Sequence, residues 1–590
     1  MCGISGSYAP DGRIDRSIPV AMHDRLRHRG PDETYSLDTP SLSAKLGRLA
    51  MVGVVDGWQP AEDVGGRFVA LTNGEIYNAP SLRAGLPPDR TGNGVDVSVV
   101  PELMAQEGPA GLRRIDGQFA SVLYDREECA LYLARDRFGI CPLHYVVLDG
   151  RVHFCSELKA LVQALAQPWR IDLTAVDQYL GLGNVVAPRT LVEGVQAVEP
   201  ACVVRFDATG VRTERYWRYG EFAPDGAVSD EDLRQGLRDS LAARLRADVE
   251  IGAYLSGGFD SSALVLEAAA LQSRPVRSFS VGFDDPALDE GRFQREVAAV
   301  AGTKHEEVRC GRADVAARFE EVVRHCCFPQ RETYNVAALM LSERVSAAGL
   351  RGVVSGEGAD ELFFGYDSYA FDSAARRPRP SREENEHLWG RPDFAWEVDW
   401  DRVTARRLSH LSPAAREALE GREFWRSRLI PLSDGQAREL TPMQLRSVAD
   451  IYVQLAGHLL GDHGDAMVMA NSVEGRYPFL GNSVVALALR VPDQDKVVDF
   501  EGKACLRRAY RGLVPDAVLD RAKHGFTAYD LAAVTDARVW ERWRELIVAS
   551  GLLDASCLDG GPSAARVEKW DHRLSVISLA LIIDELGLQW

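Results

Sequence analysis

Two patterns of apolar positions divide the chain. From residue 1 to about 205, short apolar runs recur between turns at 43–51, 67–72, 120–124, 130–134, 143–148 and 152–155. Runs this short and this regularly spaced predict strands of a layered sheet structure rather than helices. Further along, apolar strand-like runs at 251–255, 276–281 and 350–354 alternate with Ala-rich, helix-like stretches at 263–271 and 293–301. That alternation predicts an α/β unit with a parallel sheet, helices on both faces and its ligand at the C-terminal ends of the strands. Between the two patterns, residues 206–235 turn polar and Asp/Gly-rich, ending at Val228-Ser229-Asp230-Glu231-Asp232, a helix start with acids in its first turn. A boundary there gives a first domain over 1–215 and a second over 230–590.

Composition narrows the function more than the fold. A chain of 590 residues is too long for one core. Its 68 basic and 86 acidic residues give a net charge of −18, which argues against nucleic acid or an anionic membrane as main partner and for small-molecule substrates. No run approaches the roughly 20 apolar residues of a membrane span, and the N-terminus lacks a signal-peptide pattern, so a cytoplasmic protein is expected. Ten cysteines lie scattered without a CxxC pair, suggesting neither a zinc site nor a disulfide framework.

Four stretches carry chemistry. Leu255-Ser256-Gly257-Gly258-Phe259-Asp260-Ser261-Ser262 joins an apolar strand to a helix through a phosphate-sized loop. Glycines let the backbone approach an anion, hydroxyls and helix-start N–H groups cradle phosphate oxygens, and Asp260 can hold a divalent cation. Val353-Val354-Ser355-Gly356-Glu357-Gly358-Ala359-Asp360-Glu361 is a second strand-to-turn passage with three carboxylates, which suits metal or substrate chemistry beside a nucleotide. At the N-terminus, removal of Met1 would leave Cys2 with a thiol and a free α-amine, whose reference pKa of about 7.7 to 8.0 lets it act as an internal base. Asn73-Gly74 follows a strand and offers an amide and a backbone N–H for the oxyanion of a tetrahedral intermediate.

The two loops resemble the ATP-pyrophosphatase-type synthetase domain of the asparagine synthetase family, and Met1-Cys2-Gly3-Ile4-Ser5-Gly6 resembles the start of a class II glutamine amidotransferase. The resemblance covers nearly the whole chain and implies an αββα N-terminal-nucleophile domain followed by a doubly wound synthetase domain. It implies Cys2 as nucleophile, Asn73 and Gly74 as oxyanion donors, and a glutamine pocket of Arg48, Leu49, Val52, Glu75 and Asp96. Arg48 would meet the α-carboxylate and Asp96 the α-ammonium. For ATP it implies Leu255, Ser256, Gly257, Gly258, Asp260, Ser261, Ser262, Val281, Ser355 and Gly356, with Asp260 and Asp360 on Mg²⁺. Glu357 would stand beside the acyl-adenylate and amine, and Lys503 would neutralise charge on the α-phosphate. Arg29-Gly30-Pro31-Asp32 and Ala134-Arg135-Asp136-Arg137-Phe138-Gly139 are further signatures, read as loop-fixing buried ion pairs. The signal returns at Gly464 to Ala470, Val473 to Leu480, Gly502 to Arg508 and Lys523-His524-Gly525-Phe526.

Four positions depart from the family pattern: Cys141 where a basic residue is usual, Phe364 for a Gly, Ala466 for an Arg and Gly481 for an Asp. The last three are expected around the acceptor pocket, favouring an acceptor other than, or broader than, aspartate. Residues 367–440, with Arg376-Arg377-Pro378-Arg379-Pro380, are the least family-like and are expected to form a partly mobile excursion near that pocket. The resulting expectation is an amidotransferase that hydrolyses glutamine at Cys2 and amidates an ATP-activated carboxylate, as a possible homodimer. Its rivals are an intramolecular amide-forming synthetase of the β-lactam synthetase or lasso-cyclase type and a non-catalytic binding protein on the same fold. Cys2, Arg48, Asn73 and Asp96 standing together speak against the first, and Ser256 to Ser262 with Glu357, Asp360 and Lys503 against the second.

Overall fold

The computed structural model describes the whole chain except residues 88–92, 225, 227, 375–380, 397, 398, 522–524, 531–534, 560 and 562–570. The first 215 residues build two antiparallel six-stranded sheets. One runs Gln196–Ala197, His144–Leu148, Arg151–Cys155, Gly3–Tyr8, Leu42–Arg48, Glu33–Asp38; the other runs Gly210–Arg215, Cys202–Asp207, Ala130–Arg135, Gly117–Asp125, Phe68–Ile76, Ala61–Glu62. Helices Ser17–Asp24 and Leu158–Leu165 pack on the first sheet and Val99–Glu107 on the second, giving the four αββα layers. Ile4, Leu46, Leu71, Val122 and Leu133 fill the core they share.

All six runs predicted as strands are strands, with ends shifted by a few residues. The central strand Gly3–Tyr8 has no apolar alternation because it must be thin: a Cβ on Gly6 would come 2.1 Å from the Phe154 ring. Glu33–Asp38 is mostly exposed, so polar residues suffice there.

Helix Asp230–Leu245 opens the second half at the predicted signature. Ser229 Oγ accepts from Asp232 N at 3.1 Å and the Asp232 carboxylate accepts from Ser229 N at 2.9 Å, a capping box. Beyond it lies a fully parallel five-stranded sheet in the order Lys304–Cys310, Arg277–Phe283, Ile251–Tyr254, Gly352–Val354, Glu474–Arg476. The chain moves outward from Ile251–Tyr254 in one direction, then returns to its other side at Gly352–Val354. Because crossovers are right-handed, this reversal puts the intervening helices on the opposite face and opens a crevice between those two strands, where ligands bind in doubly wound folds. Both Gly-rich loops begin there.

Residues 367–440 differ from the expected excursion. Their described part folds into helices Asp367–Ala374, Glu383–Trp389, Trp400–Ser409, Pro413–Leu419 and Asp434–Glu439. The reason is aromatic burial: Trp389, Phe394, Trp396, Trp400 and Phe424 are all inside. A buried Arg407–Asp177 ion pair ties this layer to helix Leu173–Leu182. The run Arg376-Arg377-Pro378-Arg379-Pro380 lies outside the described residues, as do Lys523 and His524. Among the described residues no helix is long and apolar enough to cross a membrane.

Candidate functional site

Cys2 lies buried at the head of the central strand Gly3–Tyr8. Its backbone N–H donates to Asn73 Oδ1, and Asn73 Nδ2 is left as a buried donor with no partner. Such an orphan is costly unless something it can donate to arrives. Asn73 and Gly74 lie inside strand Phe68–Ile76 rather than after a strand as expected, and Gly74 sits at φ +138°, where a Cβ would come 1.9 Å from Gln118 O, so only glycine fits there. Burial pushes the Cys2 thiol up, against the opposing pull of the N-terminal ammonium and the Leu49 backbone.

The expected glutamine-binding groups gather around this point. Arg48 is buried and clamps its own loop, donating to Gly57 O at 2.6 Å, Val52 O at 2.9 Å and Gly53 O at 2.6 Å, with Glu33 at 3.1 Å. Its fork is thus fixed in place by backbone carbonyls. Asp96 accepts from Ile76 N–H, and burial pushes its carboxyl up to about 6. Glu75 is driven well above the carboxylate range by burial and by the Asp96 charge.

The two signature loops expected to hold ion pairs split in role. Asp136 fixes its loop by accepting from Phe138 N, Ile140 N and Cys141 N, each at 3.0 Å, and Arg135 does so through Cys141 O at 2.7 Å and Val198 O at 2.8 Å. These are backbone contacts rather than ion pairs. Arg29 instead reaches the other domain, gripping Asp465 at 2.7 and 2.8 Å while its Nε donates to Cys2 O at 3.1 Å. Cys141, at the same junction, is buried with its Sγ 3.4 Å from Met1 Sδ.

One strand, Glu474–Arg476, separates this centre from the second. On the near side Glu474 receives the Met1 ammonium and Arg476; burial opposes its ionisation, but these two cations hold its carboxyl below the usual range. Gly475 O accepts from Gln118 Nε2 at 2.9 Å, and Gly475 and Tyr477 line the cleft on the far side.

That cleft has a volume of about 640 Å³ and lies at the switch point. In the first loop Gly257 sits at φ +79°, Ser256 and Ser261 hydroxyls meet at 2.9 Å, and Gly258 leads into helix Phe259–Leu271. Leu255, Ser256, Gly258, Asp260 and Ser261 face the cleft. Gly257 and Ser262 lie behind: Ser262 Oγ donates to Gly258 O at 2.7 Å and holds the loop. Val281, Ser355 and Gly356 complete the expected nucleotide wall.

Lys503 is the hub. Its Nζ lies 2.6 Å from Asp260 and 2.8 Å from Asp360, bringing together carboxylates of the two loops. Burial works against its charge, but the two aspartates hold its pKa above the usual lysine value. Gly365 is required here, since a Cβ would strike Asp360 Oδ1 and Lys503 Cε at 2.1 and 2.2 Å. Glu357 lines the same cleft with Oε2 buried and unpartnered, and burial raises its carboxyl. Glu361, accepting from Tyr366 Oη at 2.6 Å, is pushed up to about 8 by burial and the Asp360 charge.

Three departures do not sit where the sequence placed them. Phe364, Ala466 and Gly481 are absent from the cleft lining. Phe364 is a left-handed helix cap stacked on Tyr369 at 4.6 Å, Ala466 offers only its carbonyl to His325 at 3.2 Å, and a Cβ on Gly481 would lie 2.1 Å from Ser240 Oγ. Arg244, beside Gly481, pairs with Asp116 at 3.0 Å. Each is accommodated by packing outside the cleft lining. Of the rings that line the cleft, Phe526 belongs to the Lys523-His524-Gly525-Phe526 signature, whereas Tyr334 and His463 carried no recognisable spacing.

An αββα unit with an N-terminal cysteine beside an orphaned amide, joined to a switch-point nucleotide cleft, defines a glutamine amidotransferase fused to an ATP-using synthetase. Residues 1–217 match the glutamine amidotransferase domain family, and residues 232–582 match asparagine synthase. The chain belongs to the asparagine synthase family. It is 29% identical over 575 residues to asparagine synthetase [glutamine-hydrolyzing] 1 of Bacillus subtilis, covering 89% of this chain and 87% of that protein. A putative asparagine synthetase of Mycobacterium tuberculosis is 30% identical over 598 residues, with 89% and 87% covered. Amidase chyE of Penicillium rubens is 28% identical over 599 residues, with 89% and 88% covered. The protein is accordingly an ATP-dependent ligase that forms an amide with nitrogen from glutamine.

Proposed function

We propose that the two centres work as a relay, with the domain division at 215–230 separating release of ammonia from its use. Removal of Met1 would put the α-amine at Cys2 N, already oriented by Asn73 Oδ1, where it takes the thiol proton. The thiolate adds to the side-chain amide of glutamine, Asn73 Nδ2 and Gly74 N–H meet the oxyanion, ammonia leaves, and water then frees glutamate from the thioester. Arg48 and Asp96 hold the α-carboxylate and α-ammonium, with Leu49, Val52 and Glu75 around them.

In the cleft, a carboxylate oxygen of the acceptor attacks the α-phosphorus of ATP, the Pα–O bond to the β-phosphate breaks, and pyrophosphate departs. Ammonia then attacks the acyl carbon, expels AMP and yields the amide, its surplus proton passing to Glu357. The convergence of Asp260 and Asp360 on one cation, Lys503 Nζ, carries this reading. A pair of carboxylates facing phosphates also fits Mg²⁺, which takes one or two carboxylates and completes its shell from substrate phosphates and water. There Mg²⁺ would neutralise charge on pyrophosphate, while Lys503 serves the α-phosphate.

Aspartate or another small carboxylic acid is the acceptor, the cytoplasm the compartment, and a homodimer the form left to solution mass measurement. Amide-¹⁵N glutamine with ATP and candidate acids tests the scheme: labelled amide, AMP and pyrophosphate are expected, and ADP with phosphate would overturn it.

A further inference from the structure

The cleft that holds Glu357 is also lined by rings. Tyr334, His463 and Phe526 form a three-ring corner, with centroid separations of 5.1 Å for Tyr334–His463, 5.8 Å for Tyr334–Phe526 and 5.9 Å for His463–Phe526. Leu459 and Met467 extend the apolar surface beside it. His463 belongs to the π-helical run Asp450–Asp465, the kind of backbone often found where side chains are aimed at a site.

The hydrogen bonds behind this wall fix what it shows. Gln330 Nε2 donates to two acceptors, Phe328 O at 2.9 Å and Asp462 Oδ2 at 3.0 Å, so Gln330 Oε1 must point the other way. Asn335 Nδ2 donates to that Oε1 at 2.7 Å and to Asp462 Oδ2 at 3.0 Å, which leaves Asn335 Oδ1 as the atom facing His463 Nδ1 at 2.7 Å. An amide oxygen only accepts, so Nδ1 carries the proton and Nε2 keeps a lone pair. Asp462 takes a third bond from His458 Nδ1 at 2.6 Å, completing the support. The imidazole stays neutral, because burial lowers its pKa to about 4.

We propose that this corner is the acceptor subsite, and that the acid it takes is an aryl carboxylic acid whose hydroxyl or ring N–H donates to His463 Nε2. This rests on the reading of the cleft as the place of carboxylate activation. A flat ring matches the three-ring corner, where offset or edge-on packing adds to burial of area. The lone pair of Nε2 welcomes a donor, while the three rings offer no counter-charge to the α-ammonium and second carboxylate that aspartate carries. Arg331 also lines the cleft, and its guanidinium donates to Gln454 Oε1 at 3.3 Å. His463 is thus a specificity residue.

Ammonia-dependent synthesis with ammonium chloride bypasses the Cys2 centre and isolates the cleft. AMP and pyrophosphate formation would be compared for 4-hydroxyphenylacetate, 4-hydroxybenzoate, indole-3-acetate, the unsubstituted phenylacetate and benzoate, and L-aspartate. The expected result is a kcat/KM for the best donor-bearing acid about tenfold above its unsubstituted counterpart, the size of one good hydrogen bond, with aspartate below both. His463→Leu should collapse that ratio toward one with the KM for ATP unchanged, while His463→Gln, which keeps an acceptor, should retain part of it; thermal melting checks that both variants fold. Aspartate outperforming every aryl acid overturns the acceptor assignment and leaves amide formation standing. An aryl preference untouched by His463→Leu overturns the role of His463. Failure of all six acids, aspartate included, to yield AMP and pyrophosphate brings down both this inference and the proposed function.

Discussion

Arg29 and Asp465 are bound fork to fork across the domain seam, at 2.7 and 2.8 Å, with both side chains buried. The same guanidinium holds Cys2 O at 3.1 Å and Glu157 at 3.1 Å, so one side chain touches the backbone of the nucleophile, its own domain and the synthetase. Asp465 closes the π-helical run that also carries His463. The arrangement links the geometry of the two centres through a single planar group.

Asp465→Asn should therefore separate the two activities. Breaking a buried pair by removing one charge costs about 3–5 kcal/mol because the other charge remains buried. A lower melting temperature and more than one glutamate formed per amide are expected, with glutamine hydrolysis retained. One-to-one stoichiometry in the variant would show that the seam does not couple the centres.

Cys2→Ala should abolish glutamine-dependent synthesis, by on the order of a thousandfold or more, while ammonia-dependent synthesis persists. Cys2 is not among the residues that line the cleft. Rates measured with each nitrogen source decide it; parent-level glutamine turnover in the variant would remove Cys2 as nucleophile.

Asp260→Asn and Asp360→Asn should each lower AMP formation by roughly a hundredfold or more with either nitrogen source, since both hold Lys503 and, in the proposed scheme, would hold Mg²⁺. Glutamine hydrolysis, followed as glutamate release, should stay near the parent rate. A variant with intact ATP cleavage would take that aspartate out of the phosphate machinery.

How far the sequence reached follows from the kind of signal each part carries. The capping box at Ser229 and the Gly-rich loops are local, so a few residues specify them, and the switch-point crevice followed from strand and helix alternation. The strand Gly3–Tyr8 was invisible because its small residues answer to the Phe154 ring, far off in sequence. Residues 367–440 read as a partly mobile excursion because they are the least family-like, yet their buried rings find one another only in three dimensions. Phe364, Ala466 and Gly481 were placed at the acceptor because departures from a motif mark difference, not location. Asn335 meets Asp462 and His463 from a segment more than a hundred residues away, and no spacing announces the contact.

The affinity for glutamine should depend on pH through Asp96. Burial raises its carboxyl to about 6, so it is neutral well below pH 6 and charged above it. Only the charged form attracts the α-ammonium of glutamine, so KM should rise as pH falls through about 6, approaching tenfold per unit, and level off above it. Asp96→Asn should raise KM and flatten that profile. A parent KM that is constant from pH 5 to 8 would remove Asp96 from ammonium recognition.

In the proposed relay ammonia crosses the strand Glu474–Arg476 at Gly475, the residue there that carries no side chain. A Cβ on Gly475 would lie 2.7 Å from Tyr477 Oη, and one on Gly464 would lie 2.6 Å from the same oxygen. Tyr477 is fully buried, so its hydroxyl is hemmed in between two positions that admit no side chain. Gly475 also faces the cleft, while its carbonyl is held by Gln118 of the first domain at 2.9 Å. Gly475→Ala should push the Tyr477 ring into the space between the centres, where a packed interior offers little room to yield. Glutamine-dependent synthesis should then fall several-fold while glutamate release and synthesis from ammonium chloride continue, the signature of a blocked path rather than a damaged site. Adding Tyr477→Phe to Gly475→Ala removes the clashing oxygen and should restore much of the glutamine-dependent rate. If both nitrogen sources fail together in Gly475→Ala, the strand serves the synthetase fold and the ammonia does not cross there.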